Sequence, residues 1–177
     1  MTPKNSLVLA LHATSRGFGY VLFEGPFAPH DWGAVTARNN KSTTCLERLE
    51  KLLDRFTPEC LILEEYGRGL SQRRQRLTRL YRSMASVAAT RSIDVFVYTK
   101  AQIQACFVTA GARTRHEIAD TIARQFEIFR HKLPKARKPW QSEQRGMALF
   151  SAIALILTHY RFGASQLFND LLRDAPG

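Results

Sequence analysis

The stretch LVLALHATSRGFGYVLF, residues 7–23, decides the fold. Two apolar, β-prone runs, Ser6–Leu11 and Gly17–Phe23, flank a polar segment that holds two glycines, which is the pattern of a β-hairpin. His12 closes the first run, so an imidazole stands at the tip of a strand whose other residues are aliphatic. After the turn-rich EGPFAP, Asp31–Thr36 reads as a third, shorter strand, and the three form an antiparallel meander.

Working outward, Leu46, Leu49, Leu52, Leu53 and Phe56 recur at helical spacing between Ser42 and Phe56, and Pro58 ends the run. ECLILEEY follows, a short apolar run closed by charge, as expected of a central strand buried on both faces. Leu77, Leu80, Tyr81, Met84, Val87 and Ala88 restore helical spacing from about 71 to 90, and Asp94–Tyr98 is a further buried strand. A short helix covers Ala101–Phe107, and Thr114 with Glu117 three residues on makes a capping box for the next. Residues 131–142 read as a basic loop with two prolines, and a helix apolar nearly all round runs from about 143 to 160. The order predicts an α/β fold: a mixed five-stranded sheet, an antiparallel meander plus helix-linked parallel strands, with helices on both faces. One domain over residues 1–162 is expected, with 163–177 as a short helix and a loose tail.

The chain has 177 residues and a formal charge of +11. A small protein this basic attracts polyanions and gains affinity by releasing their counterions, which makes nucleic acid the leading partner. No stretch approaches the roughly 18 uninterrupted apolar residues of a membrane span, and the reading is a cytoplasmic protein without a membrane partner. The three cysteines, Cys45, Cys60 and Cys106, are widely spaced inside apolar or helical patterns, which argues against a disulfide framework or a zinc knuckle and points to buried thiols.

The element order, with LHATSRGFGY at the first hairpin and LILEEY ending the fourth strand, resembles the ribonuclease H-like superfamily, and within it the RuvC-type Holliday-junction resolvases. The family opens with an apolar strand ending in aspartate, followed by a small residue and a Thr-Gly-Tyr-like start to the second strand. Here His12 replaces the acid, while Ser15, Gly19 and Tyr20 keep the rest. Glu64 fits the family's glutamate at the end of its next apolar strand, and Arg115 in GARTRHEIA fits its basic residue at a helix start. SEQRGMALFSAIALILTHY matches the closing helix, with Ala148 and Ser151 where two aspartates would fall and Glu143 as the carboxylate two turns earlier. The resemblance implies a homodimeric, metal-dependent endonuclease acting on branched DNA.

Two-metal phosphodiester hydrolysis requires several carboxylates at one spot, because hard Mg²⁺ prefers oxygen ligands. The candidate ligands are His12, Glu64, Glu65 and Glu143, with Mg²⁺ or Mn²⁺ as the ion. Glu65 joins only if the strand bends, since successive side chains point to opposite faces. His12 suits Mn²⁺ or Zn²⁺ better than Mg²⁺, and it has two other readings: a general base on water, or a structural histidine bonded to Glu64. Glu143 can equally be a carboxylate favoured in a helix first turn. Ser151 is the remaining candidate catalytic residue, as a neutral donor in place of an acid.

For nucleic acid, Arg68, Arg73, Arg74, Arg76, Arg79 and Arg82 lie in a segment with no acid between Tyr66 and Ile93. Guanidinium forks match phosphate oxygens, and a helix face built only for solubility mixes both signs. Arg73 and Arg76 are expected to lean towards the site. Lys132, Lys135, Arg137, Lys138 and Trp140 make a second basic segment whose indole can stack on an unpaired base or pack on the domain. Arg113, Arg115 and His116 add charge at a helix N-terminus, a phosphate-friendly location. Three functions compete on this reading: the nuclease, a pseudo-nuclease that binds nucleic acid without cutting it, and a basic protein-interaction scaffold.

Overall fold

Alternation along β1, Val8–Ala13, sends Val8, Ala10 and His12 to one face of the sheet and Leu9, Leu11 and Ala13 to the other, and every one of these residues is buried. That double burial makes β1 the central strand of the computed structural model, which describes residues 6–65, 71–135 and 146–173. The strand order is β3-β2-β1-β4-β5, with β2 at Gly17–Phe23, β3 at Pro29–Thr36, β4 at Cys60–Glu65 and β5 at Asp94–Thr99. The first three strands pair antiparallel, while β1–β4 and β4–β5 pair parallel, as the order of elements predicted.

β1 reaches beyond the expected Leu11. Antiparallel pairing with β2 continues through His12↔Gly19 to Ala13↔Phe18, so His12 lies inside the strand and not at its tip. Five α-helices flank the sheet: α1 (Lys41–Phe56), α2 (Gln72–Thr90), α3 (Lys100–Phe107), α4 (Arg115–Gln125) and α5 (Met147–Arg173). α1 and α2 cover one face, with Leu49, Leu53, Leu77, Leu80 and Met84 against Leu9, Leu11, Leu61 and Leu63. α4 and α5 cover the other, with Ile118, Ile122, Phe150, Ile153 and Ile156 against Ala10, Val21, Phe23 and Ile62.

α5 does not stop near Tyr160 but continues to Arg173. No proline interrupts residues 147–173, and the single glycine there, Gly163, costs a helix only about 1 kcal/mol. The predicted basic loop also begins late, because Glu127–Lys132 form a 3₁₀ turn. Cys45 and Cys60 are buried as expected, but Cys106 is only half-buried. Burial pushes the Cys60 thiol up to about 12, with Glu59 and Asp94 adding to the effect, so it stays protonated beside the His159 ring. Among the described residues no helix is long and apolar enough to cross a membrane.

Candidate functional site

The parallel register brings the two key side chains together. β1 pairs with β4 as Val8↔Cys60 through Ala10↔Ile62, and the same offset sets His12 beside Glu64. Their side chains leave the sheet on the α5 side, and His12 Nδ1 lies 3.1 Å from Glu64 Oε2 with both almost buried. The approach has ion-pair distance but not hydrogen-bond alignment, so Nδ1 has no hydrogen-bond partner among the described residues. Glu65, one residue on, points to the opposite face and is exposed, so β4 does not bend and Glu65 does not join Glu64.

Gly19 sets how near α5 comes. It is the β2 partner of His12, and a Cβ built on it would fall 2.7 Å from the carbonyl carbon of Ala148 and 2.8 Å from its Cβ. Real Cβ atoms do not approach so closely, so only glycine lets the first turn of α5 rest directly on the strand next to His12. One turn further, Ser151 lines a cleft together with Glu64. Lys100, Arg113 and Arg115 complete its polar wall, Ile103, Ile118, Phe150 and Ala154 its apolar floor. About 70 Å³ of the cleft is free, room for a few waters or one partly hydrated cation at roughly 10–15 Å³ each.

Of these cations, Arg115 was legible from the sequence and Lys100 was not. Lys100 opens α3 directly after β5, held by a capping box between Thr99 and Gln102. β4 and β5 pair as Glu64↔Tyr98 and Glu65↔Thr99, so the residue after Thr99 emerges beside the Glu64 end of the neighbouring strand. The signal was there in the strand–helix junction, but it becomes informative only once β5 is known to pair with β4.

The N-terminus of α4 has the capping box that Thr114 and Glu117 predict. The Arg113 and Thr114 N–H groups both donate to Glu117 Oε2, at 2.7 and 2.9 Å, and Glu117 N–H donates to Thr114 Oγ1 at 3.2 Å. These donors, from Thr114 first and then Arg113, hold the Glu117 carboxyl below the usual carboxylate range. The positive character facing the cleft includes the Arg113 and Arg115 side chains.

On the far side of His12, Lys41 donates to the Thr14 carbonyl in the β1–β2 turn. Burial, with Arg73 nearby, lowers its pKa. Arg73, at the exposed start of α2, is near enough to Lys41 to act on it electrostatically. Arg74, Arg76, Arg79 and Arg82 are exposed along α2, while Leu77, Leu80 and Tyr81 face the core. Tyr81 anchors this helix, its hydroxyl accepting the Ala13 N–H at 2.7 Å. Lys135 is exposed. Arg68, Arg137, Lys138, Trp140 and Glu143 lie outside the described residues. Among the described residues, no three His, Cys, Asp or Glu side chains gather as a metal cluster.

The sheet order, the antiparallel three-stranded meander before two helix-linked parallel strands, and a polar pair on adjacent central strands are those of a ribonuclease H-like fold. Within that fold the arrangement of elements is similar to that of RuvC structures. The structure of T. thermophilus RuvC in complex with a Holliday junction substrate superposes with a TM-score of 0.68 at 16% identity, over 91% of this chain and 96% of that one. A second Thermus thermophilus RuvC structure gives 0.62 at 18% identity, over 90% and 96%. The yeast mitochondrial Holliday junction resolvase Ydc2 gives 0.53 at 16% identity, over 92% and 85%. In sequence, the crossover junction endodeoxyribonuclease RuvC of Ruminiclostridium cellulolyticum is 26% identical over 113 residues, 60% of this chain and 68% of that protein. No protein-family model matches the chain.

Proposed function

We propose that this protein is a resolvase-like, structure-selective endonuclease that acts on branched DNA as a homodimer. The observation that carries the reading is the 3.1 Å pairing of His12 with Glu64 at a cleft walled by Lys100, Arg113 and Arg115. A carboxylate beside several cations is a poor site for a neutral ligand and a good one for a phosphodiester with a counter-charge. The similar Thermus protein is described with a Holliday junction substrate, which supports branched DNA as the class of substrate.

Among the described residues, the donors at hand fit one divalent ion at most and not the pair that two-metal hydrolysis uses. One carboxylate, one imidazole and the unpartnered buried hydroxyl of Ser151 face this region, short of the convergent acids that two hard ions require. His12 and Glu64 would hold the ion, which supplies Lewis acidity at phosphorus and a more acidic bound water. The chain's own residues do the rest. Lys100, Arg113 and Arg115 neutralise the phosphate, the apolar floor of Ile103 and Phe150 limits water, and the acid-free run of α2 grips the flanking backbone.

Incubating the full chain with a labelled four-way junction in Mn²⁺, and separately in Mg²⁺, tests the reading. Cleavage is expected in Mn²⁺ and should fall by about 100-fold or more in Glu64→Ala, as for loss of a central charge-stabilising group. A second reading, a pseudo-nuclease that binds the junction without cutting it, is favoured by the missing third acid among the described residues. Intact, salt-sensitive junction binding without cleavage in either ion would select that second reading. Binding that is insensitive to salt would reject both, because neutralising Z phosphates gives a log–log salt slope near −0.9Z.

A further inference from the structure

The lining of the cleft beside Glu64 suits an anion better than a cation. Among the described residues it sets Lys100, Arg113 and Arg115 against a single carboxylate, a surplus of two positive charges. Lys100 comes from the start of α3, and Arg113 and Arg115 from either side of the Thr114 cap of α4. Hydrogen-bond donors are in surplus too, because lysine and arginine donate and never accept. Ser151 adds a hydroxyl whose buried oxygen lacks a partner among the described residues. A serine or threonine inside a helix can turn its hydroxyl onto the carbonyl four residues back, and Thr158 of the same helix does so to Ala154 O at 2.7 Å. Ser151 leaves the corresponding Met147 carbonyl alone, so its O–H is available to a group in the cleft.

We infer that the cleft seats a phosphate monoester, the phosphorylated end of a nucleic-acid strand, and that Lys100, Arg113, Arg115 and Ser151 hold it without a metal ion. Charge selects the monoester over the diester. A backbone diester carries one negative charge, whereas a monoester carries about −1.5 to −2 at pH 7 and offers three strong acceptor oxygens. A surplus of two positive charges and a wall of donors match the second group and overcompensate the first. Size agrees: the free 70 Å³ amounts to about five water-sized positions at roughly 10–15 Å³ each, enough for the oxygens of one phosphate and too little for a whole nucleotide. The floor of Ile103, Ile118, Phe150 and Ala154 keeps the surroundings apolar, which strengthens charge-assisted hydrogen bonds. The inference rests on the proposed reading of this cleft as the place where phosphate binds, and it adds the charge state of the group, its position at a strand end and its independence of an ion.

The test measures binding of the full chain, in EDTA, to a short labelled single-stranded oligonucleotide. Its end carries a 5′-phosphate, the same phosphate capped as a methyl ester, or a 5′-hydroxyl, and a 3′-phosphate forms a separate arm. A phosphorylated end of at least one polarity is expected to bind about 10-fold or more tightly than the capped and hydroxyl ends, as for a charge-assisted hydrogen bond. Lys100→Gln and Arg113→Gln, at exposed positions where substitution leaves the fold intact, should each cut that preference by about 5-fold. Ser151→Ala, a change that suits a helix, should cut it by about 3-fold. Arg79→Gln, on α2 and outside the cleft, should weaken all ends alike and preserve the ratio. Equal binding of all ends, a preference that appears only when Mn²⁺ is added, or a preference unchanged in both Lys100→Gln and Arg113→Gln overturns the proposal. Junction cleavage, assayed separately in Mn²⁺, reports on the nuclease reading. A chain that cuts the junction yet ignores the phosphorylated end defeats this inference alone, and one that prefers that end without cutting defeats only the nuclease.

Discussion

The two faces of one sheet end differently. On the α1/α2 face, β1 and β4 present Leu9, Leu11 and Ala13 beside Leu61 and Leu63, an apolar surface closed at its end by the Tyr81 hydroxyl on the Ala13 N–H. On the α4/α5 face, the same two strands start as apolar, with Val8, Ala10, Cys60 and Ile62, and finish with His12 against Glu64. The period of two therefore separates a packing surface from a chemical one along a single pair of strands. The first face holds the molecule together, and the second carries buried polar groups that packing alone does not explain.

That division can be broken or sharpened by substitutions on either side. The largest effect is expected from Leu11→Ala, which empties a fully buried position between the sheet and its α1/α2 layer and should cost about 3 kcal/mol in urea unfolding. If the faces are independent, the folded variant keeps its preference for a phosphorylated strand end; loss of both would show that the packing face shapes the site directly. Next comes Gly19→Val, which drives a Cβ into Ala148 and should cost about 2 kcal/mol by overpacking. Unlike Leu11→Ala, it should also weaken that preference and junction cleavage, because Ser151 rides on the helix that must move. Tyr81→Phe comes third. It strands the buried Ala13 N–H and should cost roughly 1–2 kcal/mol, without altering the binding of a phosphorylated end.

The smallest effect is a pH slope on the chemical face. His159 of α5 is half-buried, with Nδ1 2.8 Å from the Tyr98 hydroxyl, and burial lowers its pKa from the ordinary 6.5. Below about pH 6.5 the unfolded chain binds the proton while the fold resists it, so stability is full above that pH and declines as pH falls through the folded value. Thermal melts from pH 8 to 5 should show the decline, and His159→Gln should flatten it. A slope that survives the substitution would assign the proton to another group.

Much of this was readable from residue order. The meander, the helix-linked strands and the core side of α2 follow from periodicity, which reports which face of an element is buried, and the capping box at Thr114 from the residue types at its two positions. The pairing of His12 with Glu64 was readable as well, given a sheet in which their strands are neighbours. What periodicity does not carry is the reach of an element once its partners are placed. β1 runs on to Ala13 because β2 continues to pair with it, and α5 runs on to Arg173 beyond its apolar face. Lys100 escaped notice for a related reason, since a lone lysine after a strand has no local pattern that marks it.

Sequence alone determined which side chains could do chemistry here: an imidazole in place of an acid, one glutamate, a serine in a closing helix and an arginine run without acids. Those are properties of residue type and spacing, and they persist in any arrangement of the chain. Only the tertiary structure decided that the imidazole lies 3.1 Å from the carboxylate and that Ser151 opens onto the same cleft. It also decided that Glu65 stands on the other face. Strand register and the close approach of α5 over Gly19 set those distances, and both arise from contacts between segments far apart in the chain.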